Sequence, residues 1–363
     1  MSSSFVPYSD SVEVVSEDET ETIDKILESM HRLSDRTQKK EGHAIRVSHA
    51  KSHGFAVGEL AVLDDLPGSL RQGLFAKPSR YSVIVRLANV PGEITSDAVS
   101  TQRGLAFKIL GVEGEMLPGH TGESTQDFVL DTGSRFGPAN VKEFLATHLG
   151  LEHAPQVPEV VKETVSKVSF AANKALHTVG GDSGRLDVYG HPRIHPLTEA
   201  YFTQAPIRYG DYIAKLAVVP VSPAQLALET EVLDTAKDEN ALRTATVQYL
   251  RGQDAVFEVR VQLCTDLETM PVENANTEWS EEESPYQAVA RLTLPRQEAY
   301  SEARKAYGDG DLSFCPSHSL AAFRPLGSIM RARLRAYPEM SRHRRTTNGR
   351  PLTEPQSIDQ VPV

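Results

Sequence analysis

The segment AVFEVRVQLC, residues 255 to 264, alternates apolar and polar residues at a strict period of two. Phe257, Val259, Val261 and Leu263 share one face, and Glu258, Arg260 and Gln262 share the other. Successive side chains of an extended chain point to opposite sides, so this pattern predicts a half-buried antiparallel strand. YSVIVRLA (81–88), part of GFAVGELAVL (54–63), GLAFKIL (104–110), QDFVLD (126–131), DYIAKLAVV (211–219) and YQAVARLTL (286–294) read as further strands. Gly and Pro punctuate the gaps, as in LPGS and VPGE. Two strand blocks therefore flank a helical insertion at about 138–180. A closed antiparallel β-barrel gives such a pattern because closure leaves no free strand edge. The fold class expected is α+β: a barrel with flanking helices.

The chain has 363 residues, enough for a sizeable core. Its net charge of −11 argues against nucleic acid as a main partner, since phosphate binding needs a cationic face. A local basic run from Arg342 to Arg345 could still hold a small anionic group. Two cysteines, Cys264 and Cys315, exclude a disulfide scaffold, and a reducing compartment is the default. The polar, acidic start lacks the apolar core of a signal peptide, and no run approaches the roughly 20 apolar residues of a membrane span. A cytoplasmic location is expected.

Residues 1 to about 18 read as a flexible arm, and 18–40 as an amphipathic helix with Ile23, Ile26, Leu27, Met30 and Leu33 at helical spacing. The expected division is an arm and helix over 1–42, a main domain over 43–345 and a disordered tail over 346–363.

The C-terminal stretch RPLGSIMRARLRAYPEMSRHRR (324–345) carries an anomaly. As a helix, which Pro338 should stop, it places Ile329, Met330, Arg333, Leu334 and Tyr337 on one face and Arg331 and Arg335 opposite. The outer arginines need no partner beyond water. Arg333 among apolar neighbours does, because a buried charge is costly unless paired. Tyr337, four residues on, is its neighbour on the helix. A guanidinium lowers a phenol's pKa and a bound ferric ion lowers it further, which would make Tyr337 a phenolate and a plausible axial ligand to haem iron. From spacing alone a core tyrosine beside an arginine reaching outward to water fits as well.

At the other end, IRVSHAKSHGFAVGEL holds His49 and His53. Zinc does not suit the pair, because no third ligand is near. A histidine suits peroxide cleavage, which needs a neutral base to move a proton between the two oxygens.

Taken in order, R-V-S-H-A-K (46–51), V-I-V-R-L-A-N-V-P-G (83–92), Q-R-G-L-A-F-K (102–108), S-T-Q-D-F-V-L-D-T-G-S-R-F (124–136) and R-A-R-L-R-A-Y-P-E-M-S-R-H-R (331–344) resemble five segments of the catalases. The larger catalases read R-V-V-H-A-K, V-R-F-S-T-V-x-G and P-R-G-F-A-V-K at the first three. The resemblance covers roughly 43 to 345 and is patchy in the insertion and in 221–285. It implies a catalase-like haem protein holding haem b. His49 would be the distal base, Tyr337 the axial ligand to the iron and Arg333 its charge partner. Arg46, Arg86 and Arg344 would bind the haem propionates, and Phe128 and Phe136 would lie beside the haem.

Departures from the catalase pattern carry their own expectations. The C-terminal helical domain that holds NADPH in some larger catalases is missing, so no NADPH is expected. A gapless match sets Glu123 where catalases have asparagine. Ala88 replaces a serine behind the distal histidine. Ser48 replaces an apolar residue, and its hydroxyl could bond His49. A polar residue there is similar to the catalase-related enzymes that rearrange fatty-acid hydroperoxides. The expected function is a haem peroxidase reducing hydrogen peroxide or organic hydroperoxides through a ferryl intermediate, with weak catalase activity. A hydroperoxide isomerase or lyase resembling allene oxide synthase, or a non-catalytic haem carrier, are the alternatives. The partners implied are a peroxide, with a small reductant or lipid hydroperoxide. The relatives also imply a homo-oligomer such as a dimer, with the N-terminal helix as an exchange arm.

Overall fold

The computed structural model describes residues 4–178, 189–351 and 354–363. Its centre is an antiparallel sheet of β1 (Ser52–Val62), β2 (Arg80–Asn89), β3 (Arg103–Leu110), β4 (Thr125–Thr132), β5 (Tyr201–Phe202), β6 (Ile207–Tyr209), β7 (Tyr212–Pro220), β8 (Ala255–Leu263) and β9 (Gln287–Leu294). The order is β5-β4-β3-β2-β1-β9-β8-β7-β6, and β5 also pairs with β7. That pairing, Tyr201 opposite Val218 and Phe202 opposite Ala217, closes eight strands into a barrel and leaves β6 as a hairpin on β7. The expected α+β barrel is therefore present.

Alternation decides what fills the barrel. Phe257, Val259, Val261 and Leu263 of β8 join Val83, Val85 and Leu87 of β2 and Leu105, Phe107 and Ile109 of β3 in one core. Each such side chain stabilises the fold by roughly 1.5–3 kcal/mol on full burial. β5 and β6, of two and three residues, are too short to show a period and escape sequence reading.

Five helices matter outside the barrel: α1 (Glu19–Glu41), α2 (Val141–Leu151), α3 (Glu159–Thr178), α4 (Ala241–Gly252) and α5 (Ser328–Thr347). In α1 the stripe Ile23, Ile26 and Met30 packs against Ala332, Ala336 and Met340 of α5 and Val141 of α2. Gly42, in the left-handed region at φ 77°, ends α1 by donating its N–H to Gln38 O. Among the described residues, no helix is long and apolar enough to cross a membrane.

Several expectations fail here, each for a readable reason. Pro338 lies inside α5 and does not stop it, because buried residues on either side of it, Ala336, Met340 and Arg344, hold the helix together. Arg331 is not solvated: its guanidinium meets Glu13, Glu19 and Glu273 at 2.6 to 2.9 Å. Those contacts draw the N-terminal arm onto α5, and Val6 N donates to Cys264 O at 2.8 Å, so the arm packs instead of extending into solvent. The described part of the tail packs too, with Glu354 2.7 Å from the buried Lys108.

Candidate active site

The outer wall of the barrel, not its interior, carries the site. The faces of β2, β3 and β4 turned away from the core bring Arg86, Ala88, Ala106, Val129 and Asp131 to one cavity, beneath α5 and beside segment 46–49. This cavity of about 120 Å³ adjoins a second of about 820 Å³, and both border Ser48, His49, Asp131, Arg333 and Tyr337. The second is covered by α1 and α2 through Leu33, Phe144 and Leu151.

His49 sits at φ 55°, a region that residues other than glycine seldom occupy. Its N–H donates to Val90 O at 2.8 Å, and Arg86 Nη2 donates to its carbonyl at 2.6 Å. Gly104 makes room for the ring, since a Cβ there would lie 2.6 Å from His49 Cε1 and Nδ1. Burial pushes the imidazole below the ordinary histidine value; Asp131 pulls it up, while Arg86, Arg333 and Arg46 push it further down. The ring is therefore a neutral base at neutral pH. Asp131 Oδ1 lies 3.4 Å from His49 Nε2 and has no hydrogen-bond partner. Ser48 Oγ donates to Val90 O at 3.1 Å, so its proton is committed to the backbone and not to His49.

Three guanidiniums gather at one end. Arg46 Nη1 lies 3.3 Å and Arg86 Nη2 2.9 Å from the same Asp309 oxygen. Arg344 Nη2 donates to Leu312 O at 2.9 Å, and its buried Nε has no partner. Burial, with mutual repulsion, pushes Arg46 well down and Arg344 to about 10. One carboxylate faces three cations.

On α5, Arg333 is buried. Its Nη1 contacts Met330 Sδ at 3.7 Å and its guanidinium lies 4.8 Å over the Phe136 ring. Among the described residues no carboxylate pairs with it. Burial pushes the Tyr337 phenol up and Arg333 pulls against it, so the arginine alone does not make a phenolate.

The structure thus brings Arg46, Ser48, His49, Arg86, Arg333, Tyr337 and Arg344 to one cavity, with Phe136 in the adjoining one. Phe128 is elsewhere: it faces the barrel core, 5.2 Å from the Phe107 ring. Glu123 is also elsewhere, accepting from His120 Nδ1 at 2.8 Å. Gly104, Asp131 and Asp309 went unread in the sequence. Asp131 shares the outward face of β4 with Val129, a period-two signal that could have found it; Asp309 lies 223 residues from Arg86 and had no such signal.

No family model matches the chain, and no curated protein sequence matches it. Solved structures do. A fungal catalase matches with TM-score 0.59 at 16% identity, covering 85% of this chain and 61% of its own. Catalase A from Saccharomyces cerevisiae gives 0.58 at 15%, covering 84% and 62%, and a bacterial catalase 0.57 at 16%, covering 88% and 62%. The chain spans about three fifths of each neighbour's length. With the eight strands closed and the outer wall so arranged, this chain has a catalase-like fold.

Proposed function

We propose that the chain is a haem-dependent enzyme that reduces hydrogen peroxide or organic hydroperoxides. The carrying observation is the set of three guanidiniums, buried Arg86 and Arg344 with half-buried Arg46, around one carboxylate at the end of a slot bounded by His49 and Tyr337. Two further negative charges would balance that end, and a haem carries two propionates. Arg333 supports the same reading from the other side, because a buried cation without a carboxylate is satisfied by an adjacent phenolate. An adjoining volume of about 820 Å³ lies within the range of cofactor sites, roughly 300–1,000 Å³.

Bound haem would supply the iron at which the peroxide is reduced, with Tyr337 as its protein ligand. The chain's own part is proton movement and exclusion of water. Neutral His49 would offer a ring nitrogen whose lone pair accepts the peroxide proton and returns it to the departing oxygen. Arg86 fixes the backbone of His49, and Gly104 leaves its ring free of the wall. Leu33, Phe144 and Leu151 line one apolar side of the adjoining cavity, opposite polar residues such as Arg135 and Glu143, and that side suits an organic hydroperoxide. The same apolar side favours one second reading, an isomerase of acyl hydroperoxides that needs no reductant.

The test is turnover of hydrogen peroxide and cumene hydroperoxide by the haem-loaded protein, with and without a reducing dye, across pH. Dye oxidation should accompany turnover, and His49→Ala should lower kcat/KM by roughly 10²–10⁴-fold. Because His49 works in its neutral form and is pushed down, the acid limb of the profile should fall below about 6.5. Hydroperoxide loss without dye oxidation would favour the isomerase. Turnover unchanged in His49→Ala would overturn the proton-transfer role.

A further inference from the structure

We propose that His120, Glu123 and His318 form a binding site for a divalent transition metal, zinc by the chemistry of its ligands, away from the His49 cavity. His120 and Glu123 belong to the β3–β4 connection, where Gly119 and Gly122 adopt φ 91° and 87°. Glu123 N donates to His120 O at 3.0 Å, a turn that sets the two side chains on one side. His318 arrives from the segment that leads towards α5. His120 Nδ1 lies 2.8 Å and His318 Nε2 3.7 Å from the same Glu123 oxygen, and the two imidazoles meet edge to face at 4.3 Å. All three ligand atoms fall within 4.8 Å of one another. Zinc bonds of about 2.0–2.1 Å in tetrahedral geometry set ligand atoms roughly 3.4 Å apart, so small side-chain shifts complete the site.

A second observation concerns what stands behind His318. Its other nitrogen, Nδ1, lies 3.4 Å from Asp127 Oδ2 and 3.5 Å from Glu354 Oε2, and accepts from Lys108 Nζ at 3.4 Å. With a metal on Nε2, Nδ1 would carry the proton and turn it from Lys108 to one of these carboxylates, which fixes the ring and raises the basicity of the nitrogen that faces the metal. Asp127 is itself locked by Lys108 at 2.7 Å inside the wall. The charges point the same way. Glu123, Asp127 and Glu354 are opposed by Lys108 and, 3.8 Å from Glu354, by Arg345, which leaves one negative charge in excess. Two neutral imidazoles and a carboxylate suit zinc better than calcium or magnesium, which take oxygen ligands. His120 and Glu123 are part-exposed, at 14% and 34%, so water can fill the fourth position. The metal would clamp the β3–β4 connection to the segment entering α5.

The test is calorimetric titration of the metal-stripped full chain with Zn²⁺, repeated with Co²⁺ so that visible absorption reports tetrahedral nitrogen and oxygen ligation. One Zn²⁺ per chain is expected. His120→Ala and Glu123→Gln should each weaken binding tenfold or more while leaving metal-free thermal denaturation unchanged. His31→Ala, in a separate pair with Glu339 at 3.2 Å, should leave binding intact. Absence of stoichiometric zinc, binding indifferent to both His120→Ala and Glu123→Gln, or loss only in His31→Ala overturns the site.

Discussion

A single missing side chain sets the position of the candidate base. Gly104 stands where any Cβ would press on the His49 ring at 2.6 Å and on Asp131 Oδ1 at 2.9 Å, so these side-chain ends must give way. Gly104→Ala should therefore displace the imidazole. Misplacement by about 1 Å can cost up to roughly 10²-fold, so kcat/KM for peroxide should fall tenfold or more with thermal stability nearly unchanged. Steady-state assay of the haem-loaded variant checks this, and unaltered turnover would show that the ring is not held by that contact. At this scale the cations, the histidine and the tyrosine were legible, because short motifs carried them. Asp131 and Asp309 were not. The alternation of β4 marks Asp131 as outward-facing without giving it a role, Asp309 has no such signal, and the meaning of each lies in a partner that only the folded wall supplies.

The elements were read best where their period was long enough to register. The strands β1 to β4 and β7 to β9, and α1, emerge within a few residues of their expected bounds, since ordered alternation over six or more residues, or a helical stripe, is hard to mimic. α5 was misjudged at both faces. Pro338 removes one hydrogen bond of a helix whose remaining contacts outweigh the loss, and Arg331 lies in a nest of three carboxylates from the arm, α1 and the segment before β9. Sequence position could not reveal that nest, because Glu13 and Arg331 are 318 residues apart. Arg331→Met would leave Glu13, Glu19 and Glu273 crowded without their cation. Breaking a buried pair costs about 3–5 kcal/mol, and with 15% of the Arg331 side chain still exposed the lower end applies. Urea denaturation should show the midpoint shift; a change under about 0.5 kcal/mol would mean that the arm is held by its backbone contacts instead.

Across the molecule the barrel forms a wall, and the candidate site lies on its outside under helices. The β5–β7 pairing closes the barrel that holds β2 to β4, whose outer faces carry Arg86, Gly104 and Asp131. α5 spans the same wall and places Arg333, Tyr337 and Arg344 along one line of the cavity, so a helix that passes through Pro338 without breaking is a condition of the site. The catalase-like fold fits that arrangement over about three fifths of its neighbours' length. Tyr337, pushed up by burial and pulled down by Arg333, would become a phenolate on ligating haem iron, and the proposed function turns on that ligation. The most direct measurement is the absorption spectrum of the haem-loaded protein beside that of Tyr337→Phe. A stoichiometric high-spin ferric spectrum with tyrosinate character, lost or altered in the variant, is the predicted result. Absence of stoichiometric haem in the wild type, or identical spectra for the two proteins, would contradict it.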